Sequence, residues 1–275
     1  TNAVQTTVRL RIRDTGDAQV SSAATWLSAD LGGTIGQDWG DFDRDGLLDL
    51  ALGSSSGAAV YRNANGVLES FWTTSQQTYG VVWADLDADG ILELVTVGNS
   101  QDGTAVTPGL NHIYRYNAAQ STIVLSATLA SDWQLVRIAA GDFNRDGLVD
   151  LIGSTNAINA PCPVVMYRNL GNLSFAPAQC VSQRATAAVG VGDYNNDDWP
   201  DLALGAFPNQ VILLINRMNL PGEFFSPPVV IDPNTTFLPY DFAWGDYDGD
   251  GYFDLAAAFP LQREARIYRN LAGQG

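Results

Sequence analysis

The chain contains no lysine. Its basic residues are 14 arginines, set against 30 acids and one histidine, for a net charge of −16 over 275 residues. With no basic stripe to meet phosphate, nucleic acid and anionic membranes are excluded as partners. No apolar run reaches 18 residues, so no helix is expected to insert into a membrane, and helical periodicity persists nowhere. A single histidine, His112, allows no metal-binding His pair, and no Gly-x-Ser-x-Gly turn occurs. Candidates for a glycoside-cleaving acid pair are nearly all committed to the loops described next, so the chain is expected not to be an enzyme. At 46% apolar and 16% charged there is ample material for a core. The chain begins at Thr1 without a basic-plus-apolar leader, so a signal peptide is expected either to have been removed or to lie outside it.

What the chain does have is one acidic phrase, five times. It runs Asp41 to Asp49, Asp85 to Glu93, Asp142 to Asp150, Asp193 to Asp201 and Asp246 to Asp254. Oxygen-bearing side chains stand at positions 1, 3, 5 and 9: Asp41, Asp43, Asp45 and Asp49; Asp85, Asp87, Asp89 and Glu93; Asp142, Asn144, Asp146 and Asp150; Asp193, Asn195, Asp197 and Asp201; Asp246, Asp248, Asp250 and Asp254. A hard divalent cation takes six to eight oxygens at short range, and short side chains at alternating positions of a tight turn converge on one point. The position-7 carbonyls, of Leu47, Ile91, Leu148, Trp199 and Tyr252, can add a ligand. The expected cofactor is Ca²⁺, about five ions at one per loop. A hairpin of Asx-turns without metal is the alternative, although carboxylates crowded without a cation repel. Nineteen of the 30 acids lie in these phrases, so the acidity is mainly a property of the metal sites.

An EF-hand would place a bidentate Glu at position 12 and continue into a helix, but position 12 of the first loop is Leu52. Each ninth-position acid instead opens a short apolar run such as Asp49-Leu50-Ala51-Leu52-Gly53, the length of a buried strand. A second phrase follows in each unit: Val60-Tyr61-Arg62-Asn63, Ile113-Tyr114-Arg115-Tyr116, Met166-Tyr167-Arg168-Asn169, the weaker Leu214-Ile215-Asn216-Arg217, and Ile267-Tyr268-Arg269-Asn270. A polar turn and another strand complete the unit. The first aspartates recur at intervals of 44 to 57 residues, a blade-like period. Four-stranded units that cannot bury both faces alone must stack, and stacked radially they form an all-β propeller.

The phrase Trp39 to Gly53 with the downstream Val-Tyr-Arg-Asn resembles the FG-GAP/VCBS repeat, and the likeness covers roughly residues 33 to 271. The resemblance implies calcium in the hairpin between the first two strands of each blade. It also implies work as an adhesion receptor domain, a lectin or an accessory domain beside a secreted enzyme. Five four-stranded blades in one domain, 1–275, are expected, beginning near 33, 78, 135, 186 and 239, with an N-terminal strand near 24–28 closing the last blade. A larger ring of which this chain is one piece is the competing architecture, and the strand-like stretch 8–13 has no assigned role. The function expected is that of a calcium-stabilised extracellular binding or adhesion module, belonging to a larger surface protein or secreted on its own, with structural metal.

Cys162 and Cys180 each lie nine residues from Gly171, the expected centre of a hairpin turn, which brings them across an antiparallel pair within reach of a disulfide. Two buried free thiols are the alternative. Loops 3 and 4, with Asn144 and Asn195 at position 3, offer one carboxylate fewer and should bind calcium more weakly than loops 1, 2 and 5. Asp198 replaces the position-6 glycine in loop 4, where a left-handed backbone is expected. Trp39, Trp83 and Trp244 hold the same slot two residues before a loop and are read as packing between blades. Trp26, Trp72 and Trp133 are left as aromatic platforms or outer-strand packing. A protein or glycan ligand is expected at the end opposite the calcium loops, where connection lengths vary. The longest connection, Gly98 to His112, supplies Asn99, Gln101, Asp102, Asn111 and His112 as contact candidates, with ordinary solvated loop residues as the alternative.

Overall fold

The structure, a computed structural model, describes residues 33–98, 111–131, 134–155, 157–218, 224–233, 235–261 and 263–271. Among them every regular element is a strand, and no helix is long and apolar enough to cross a membrane. Five antiparallel sheets follow one another along the chain. Blade 1 holds β1 (Thr34–Gly40), β2 (Asp49–Ser54), β3 (Gly57–Ala64) and β4 (Val67–Thr74). Blade 2 holds β5 (Thr78–Ala84), β6 (Glu93–Gly98), β7 (Asn111–Asn117) and β8 (Thr122–Leu129). Blade 3 holds β9 (Arg137–Gly141), β10 (Asp150–Ser154), β11 (Val164–Tyr167) and β12 (Gln179–Ser182), and blade 4 holds β13 (Thr186–Gly192), β14 (Asp201–Ala206), β15 (Gln210–Leu214) and β16 (Val229–Asp232). Blade 5 shows β17 (Asp241–Gly245), β18 (Asp254–Phe259) and β19 (Glu264–Tyr268). In each blade the strands pair in sequence order, and the first strands of successive blades pack against each other from β1 to β17. The molecule is a five-bladed β-propeller.

The second strands are buried on both faces, which is why they read as unbroken apolar runs rather than alternating ones. Their side chains feed apolar clusters lying between neighbouring blades, such as Phe42, Val60, Trp83 and Leu94 between blades 1 and 2, and Leu213, Leu255, Phe259 and Trp244 between blades 4 and 5.

The blade joints repeat one fitting. The residue before each loop is small, and the slot two before the next loop lies over it. A Cβ on Gly40 would come within 2.8 Å of the Trp83 ring, one on Gly192 within 2.6 Å of Trp244, and one on Gly141 within 3.4 Å of Val191. Trp83 also stacks on Phe42 at 5.6 Å. Trp83 and Trp244 are therefore joint residues. Trp39 is not: it is 50% exposed, because no described glycine lies beneath it. Trp72 packs on Tyr114 inside the blade 1–2 cluster, and Trp26 and Trp133 lie outside the described residues.

At the far flank of blade 5, nothing described lies within 4 Å of a Cβ on Gly245, and Tyr247 and Ile267 are exposed. The expected closing strand, 24–28, and the stretch 8–13 lie outside the described residues.

Cys162 and Cys180 are joined by a disulfide with a Cα–Cα distance of 5.6 Å. Cys180 sits on β12 opposite Val165, while Cys162 lies just before β11, so the bridge ties the fourth strand of blade 3 to the segment entering the third, and the two cysteines are not the directly opposed pair the sequence suggested.

Candidate metal centres

Each acidic phrase is the hairpin between the first and second strand of its blade, and the backbone of all five follows one plan. The position-1 carboxylate accepts from the amides of positions 5 and 6. In loop 1 these are Asp45 N and Gly46 N, both at 3.0 Å from Asp41, and Asp85, Asp142, Asp193 and Asp246 repeat the pattern. Position 3 accepts from the amide of position 5, and the position-5 carboxylate accepts from the amide of position 7, that of Leu47, Ile91, Leu148, Trp199 or Tyr252. Three amides turned inward force a tight coil, and two positions per loop become left-handed.

Position 6 has φ between 65° and 93°, with Asp198 at 65° taking the place of glycine as expected. Position 4 is left-handed as well, at Arg44, Ala88, Arg145, Asn196 and Gly249. The glycine of loop 5 and the asparagine of loop 4 were the sequence signals for that second site.

The position-9 acids are buried: Asp49, Glu93, Asp150 and Asp201 are 0% exposed. Their partners explain how such charge is tolerated. One oxygen accepts from the position-2 amide of the same loop, at 2.9–3.2 Å from Phe42, Leu86, Phe143, Tyr194 and Tyr247. In four blades the other accepts from the amide of an Asn of the second phrase, Asn63, Asn169, Asn216 or Asn270, which aligns Leu213 to Asn216 of blade 4 with the other phrases, one residue earlier than the sequence suggested. The ninth-position acid thus latches the hairpin to the third strand while each oxygen keeps a second lone pair.

In blade 2 the fourth residue of the phrase is Tyr116, and the buried Glu93 Oε1 accepts no backbone amide; it faces the Arg115 guanidinium instead, with Nε at 3.4 Å. A carboxylate oxygen of Glu93 lies within 4.8 Å of ligand oxygens of Asp85 and Asp87. The carboxylates of Asp41, Asp43 and Asp45 and those of Asp246, Asp248 and Asp250 converge to the same degree. Burial raises the pKa of Asp49 and Asp150 to about 6 and of Glu93 and Asp201 to about 7. Asp43 and Asp87 are also raised by burial, with Arg62 and Arg115 pulling them back. An all-oxygen donor set converging from alternate positions of a tight turn fits a hard divalent cation.

The arginines of the second phrase were missed as site residues. Arg62 Nε lies 2.6 Å from Asp43, Arg269 Nε lies 2.5 Å from Asp248, and Arg115 pairs with Asp87, Asp89 and Glu93. The sequence alone did not single them out, because Arg168 holds the same slot beside Asn144 in blade 3. Neighbouring loops also touch. Arg145 of loop 3 lies over the Trp199 ring and near Asp198, and Asn196 of loop 4 donates to Gly251 O at 2.9 Å.

Of the five contact candidates, Asn99, Gln101 and Asp102 lie outside the described residues. Asn111 and His112 open β7 rather than ending a loop. Asn111 is buried and donates to Leu129 O, while His112 Nδ1 meets Tyr114 Oη at 2.9 Å and burial lowers its pKa.

A cavity of about 350 Å³ opens between blades 4 and 5, walled by Tyr194, Trp244, Phe253 and Tyr268 with Arg269 at its edge. The matching position between blades 1 and 2 is filled, since Phe42 packs on both Phe71 and Tyr116 at 5.1 Å. Asn270 stands where Tyr116 does, and its amide bonds Tyr194 O across the joint instead.

The profile of the FG-GAP-like repeat matches residues 41–96 and 193–257, which contain loops 1, 2, 4 and 5. No curated protein matches the sequence. Among solved structures, an Agrocybe aegerita lectin that recognises non-reducing terminal N-acetylglucosamine shares the fold. It gives a TM-score of 0.51 and 16% identity, over 87% of this chain and 67% of the lectin. The V. cholerae biofilm matrix protein Bap1 gives 0.47 and 17%, over 86% of this chain and 37% of its own. BBS1N in complex with ARL6DN gives 0.42 and 14%, over 88% and 80%. The chain is thus a five-bladed β-propeller, of which residues 41–96 and 193–257 match the FG-GAP-like repeat.

Proposed function

We propose that the chain is a calcium-stabilised binding module that works outside the cell, its metal structural and its ligand, a protein or a glycan, bound away from the loops. The observation that carries the calcium reading is the convergence of three carboxylates, with ligand oxygens within 4.8 Å of one another, in loops 1, 2 and 5, within a hairpin plan repeated in all five blades. Positions 1, 3 and 5, with the position-7 carbonyl and the position-9 acid, would hold the ion in each loop. Calcium would supply charge neutralisation and cross-linking there, and the crowding of ligands argues against an open catalytic position. The disulfide and the weakness of cytosolic calcium as a source both favour an extracellular setting.

The end opposite the loops carries the connections of most variable length, the place where a repeated scaffold presents recognition residues. A second reading, glycan binding beside loops 4 and 5 rather than at the opposite end, is favoured by the aromatic cavity between blades 4 and 5, whose volume suits a monosaccharide and whose rings offer stacking faces. A glycan array probed in millimolar calcium and again in chelator tests both readings. Saturable sugar binding that Tyr268→Ala abolishes would establish the glycan reading. A blank array with a calcium-dependent pull-down of a protein partner would establish the first, and binding of neither kind would contradict the proposal.

A further inference from the structure

The five loops differ at one ligand position, and the structure places a compensating group opposite the difference. Where position 3 is aspartate, an arginine from the third strand or its end reaches it: Arg62 to Asp43, Arg115 to Asp87, Arg269 to Asp248. The same guanidinium also approaches the position-5 carboxylate, Asp45, Asp89 or Asp250. Where position 3 is asparagine, its own amide covers that carboxylate: Asn144 Nδ2 lies 2.9 Å from Asp146 Oδ2, and Asn195 Nδ2 lies 2.9 Å from Asp197 Oδ2. The arginine then has no part. Arg168 makes no ion pair with loop 3, and Ile215 occupies the equivalent place in blade 4.

We infer that Arg62, Arg115 and Arg269 set the calcium affinity of loops 1, 2 and 5 by cancelling the carboxylate added at position 3, so that all five sites present nearly the same charge to the ion. This rests on the calcium reading above. Four carboxylates with one guanidinium leave −3, equal to the three ligand carboxylates of loops 3 and 4. The expectation that loops 3 and 4 bind more weakly then fails, because it counted acids and omitted the cation beside them.

The alternative role for these arginines is to hold the loop in shape, and the geometry speaks against it. Loops 3 and 4 adopt the same amide-to-carboxylate plan without arginine. What remains is repulsion between the guanidinium and a divalent ion. At a separation of roughly 5 Å in a water-like dielectric that repulsion weakens binding on the order of tenfold, less in salt.

The test is a calcium titration of the full chain against a chromophoric chelator. Arg62→Gln, Arg115→Gln and Arg269→Gln combined should tighten three of the five sites on the order of tenfold. Asn195→Asp, which adds a carboxylate with no arginine to meet it, should tighten one site by a similar factor. Unchanged or weaker binding in the triple variant with an unaltered circular dichroism spectrum would overturn the inference, as would an Asn195→Asp chain that binds no tighter. Should the triple variant fail to fold, Asn195→Asp decides alone. An unaltered chain that binds no calcium at millimolar concentration removes the calcium reading itself, a result separable from the others.

Discussion

At the scale of single residues, the ninth-position acids carry the most chemistry. Each is buried, all but Glu93 accept backbone amides from two parts of their blade, and burial raises the pKa of Asp49 and Asp150 to about 6 and of Glu93 and Asp201 to about 7. A folded-state pKa above the unfolded value, near 4 for these groups, means that the folded chain holds the proton more tightly. For the metal-free protein this contribution to stability is full below about pH 4 and is lost as pH rises towards 7. Calcium, on the proposed function, would bind the ionised form and reverse the slope. Thermal melting from pH 4.5 to 7.5 should therefore give a falling midpoint in chelator and a rising one in calcium. A flat profile in chelator would show that these acids titrate normally. Positions 1, 3, 5 and 9 were legible in the sequence because converging oxygens need that spacing. The arginines were not, because they come from another strand and only the folded hairpin brings Arg62 onto Asp43.

At the scale of elements, the joint between blades is a glycine under a large side chain, and it gives a paired prediction. Gly40→Ala places a methyl group within 2.7 Å of Leu92 and 2.8 Å of Trp83, so it should destabilise the chain by about 1–3 kcal/mol. Gly245→Ala, at the same slot of blade 5, meets nothing described and should stay within about 0.5 kcal/mol of the unaltered chain. Urea unfolding of both variants measures the contrast, and equal losses would refute the joint as described. The disulfide, whose cysteines stand 18 positions apart, closes a loop within blade 3. Replacing both cysteines by alanine should cost roughly 3 kcal/mol of stability by the same measurement, from the freedom returned to the unfolded chain. The repeat, the strands and this pairing could be read from local pattern. The fate of Trp39 could not: its slot matches that of Trp83, but its surroundings depend on which flank faces it.

For the molecule as a whole, the five hairpins form a linked series at one end of the propeller, held by contacts such as Asn196 to Gly251. The blade clusters fasten the sheets, and the loops concentrate nineteen acids at that one end. Without a cation the charges repel across a connected surface, so calcium should act on the whole ring rather than on isolated turns. The fold class was legible because the repeat dictates it. The ligand was not, because recognition belongs to connections whose residues follow no repeat, the longest of them lying outside the described residues.

The central claim is the loading of the loops, and native mass spectrometry of the full chain in calcium, alongside melting with and without chelator, tests it most directly. The account predicts about five calcium ions per chain, one for each loop, and a clear rise in melting temperature on loading. A chain that carries no calcium, or that melts at the same temperature in chelator, would contradict it.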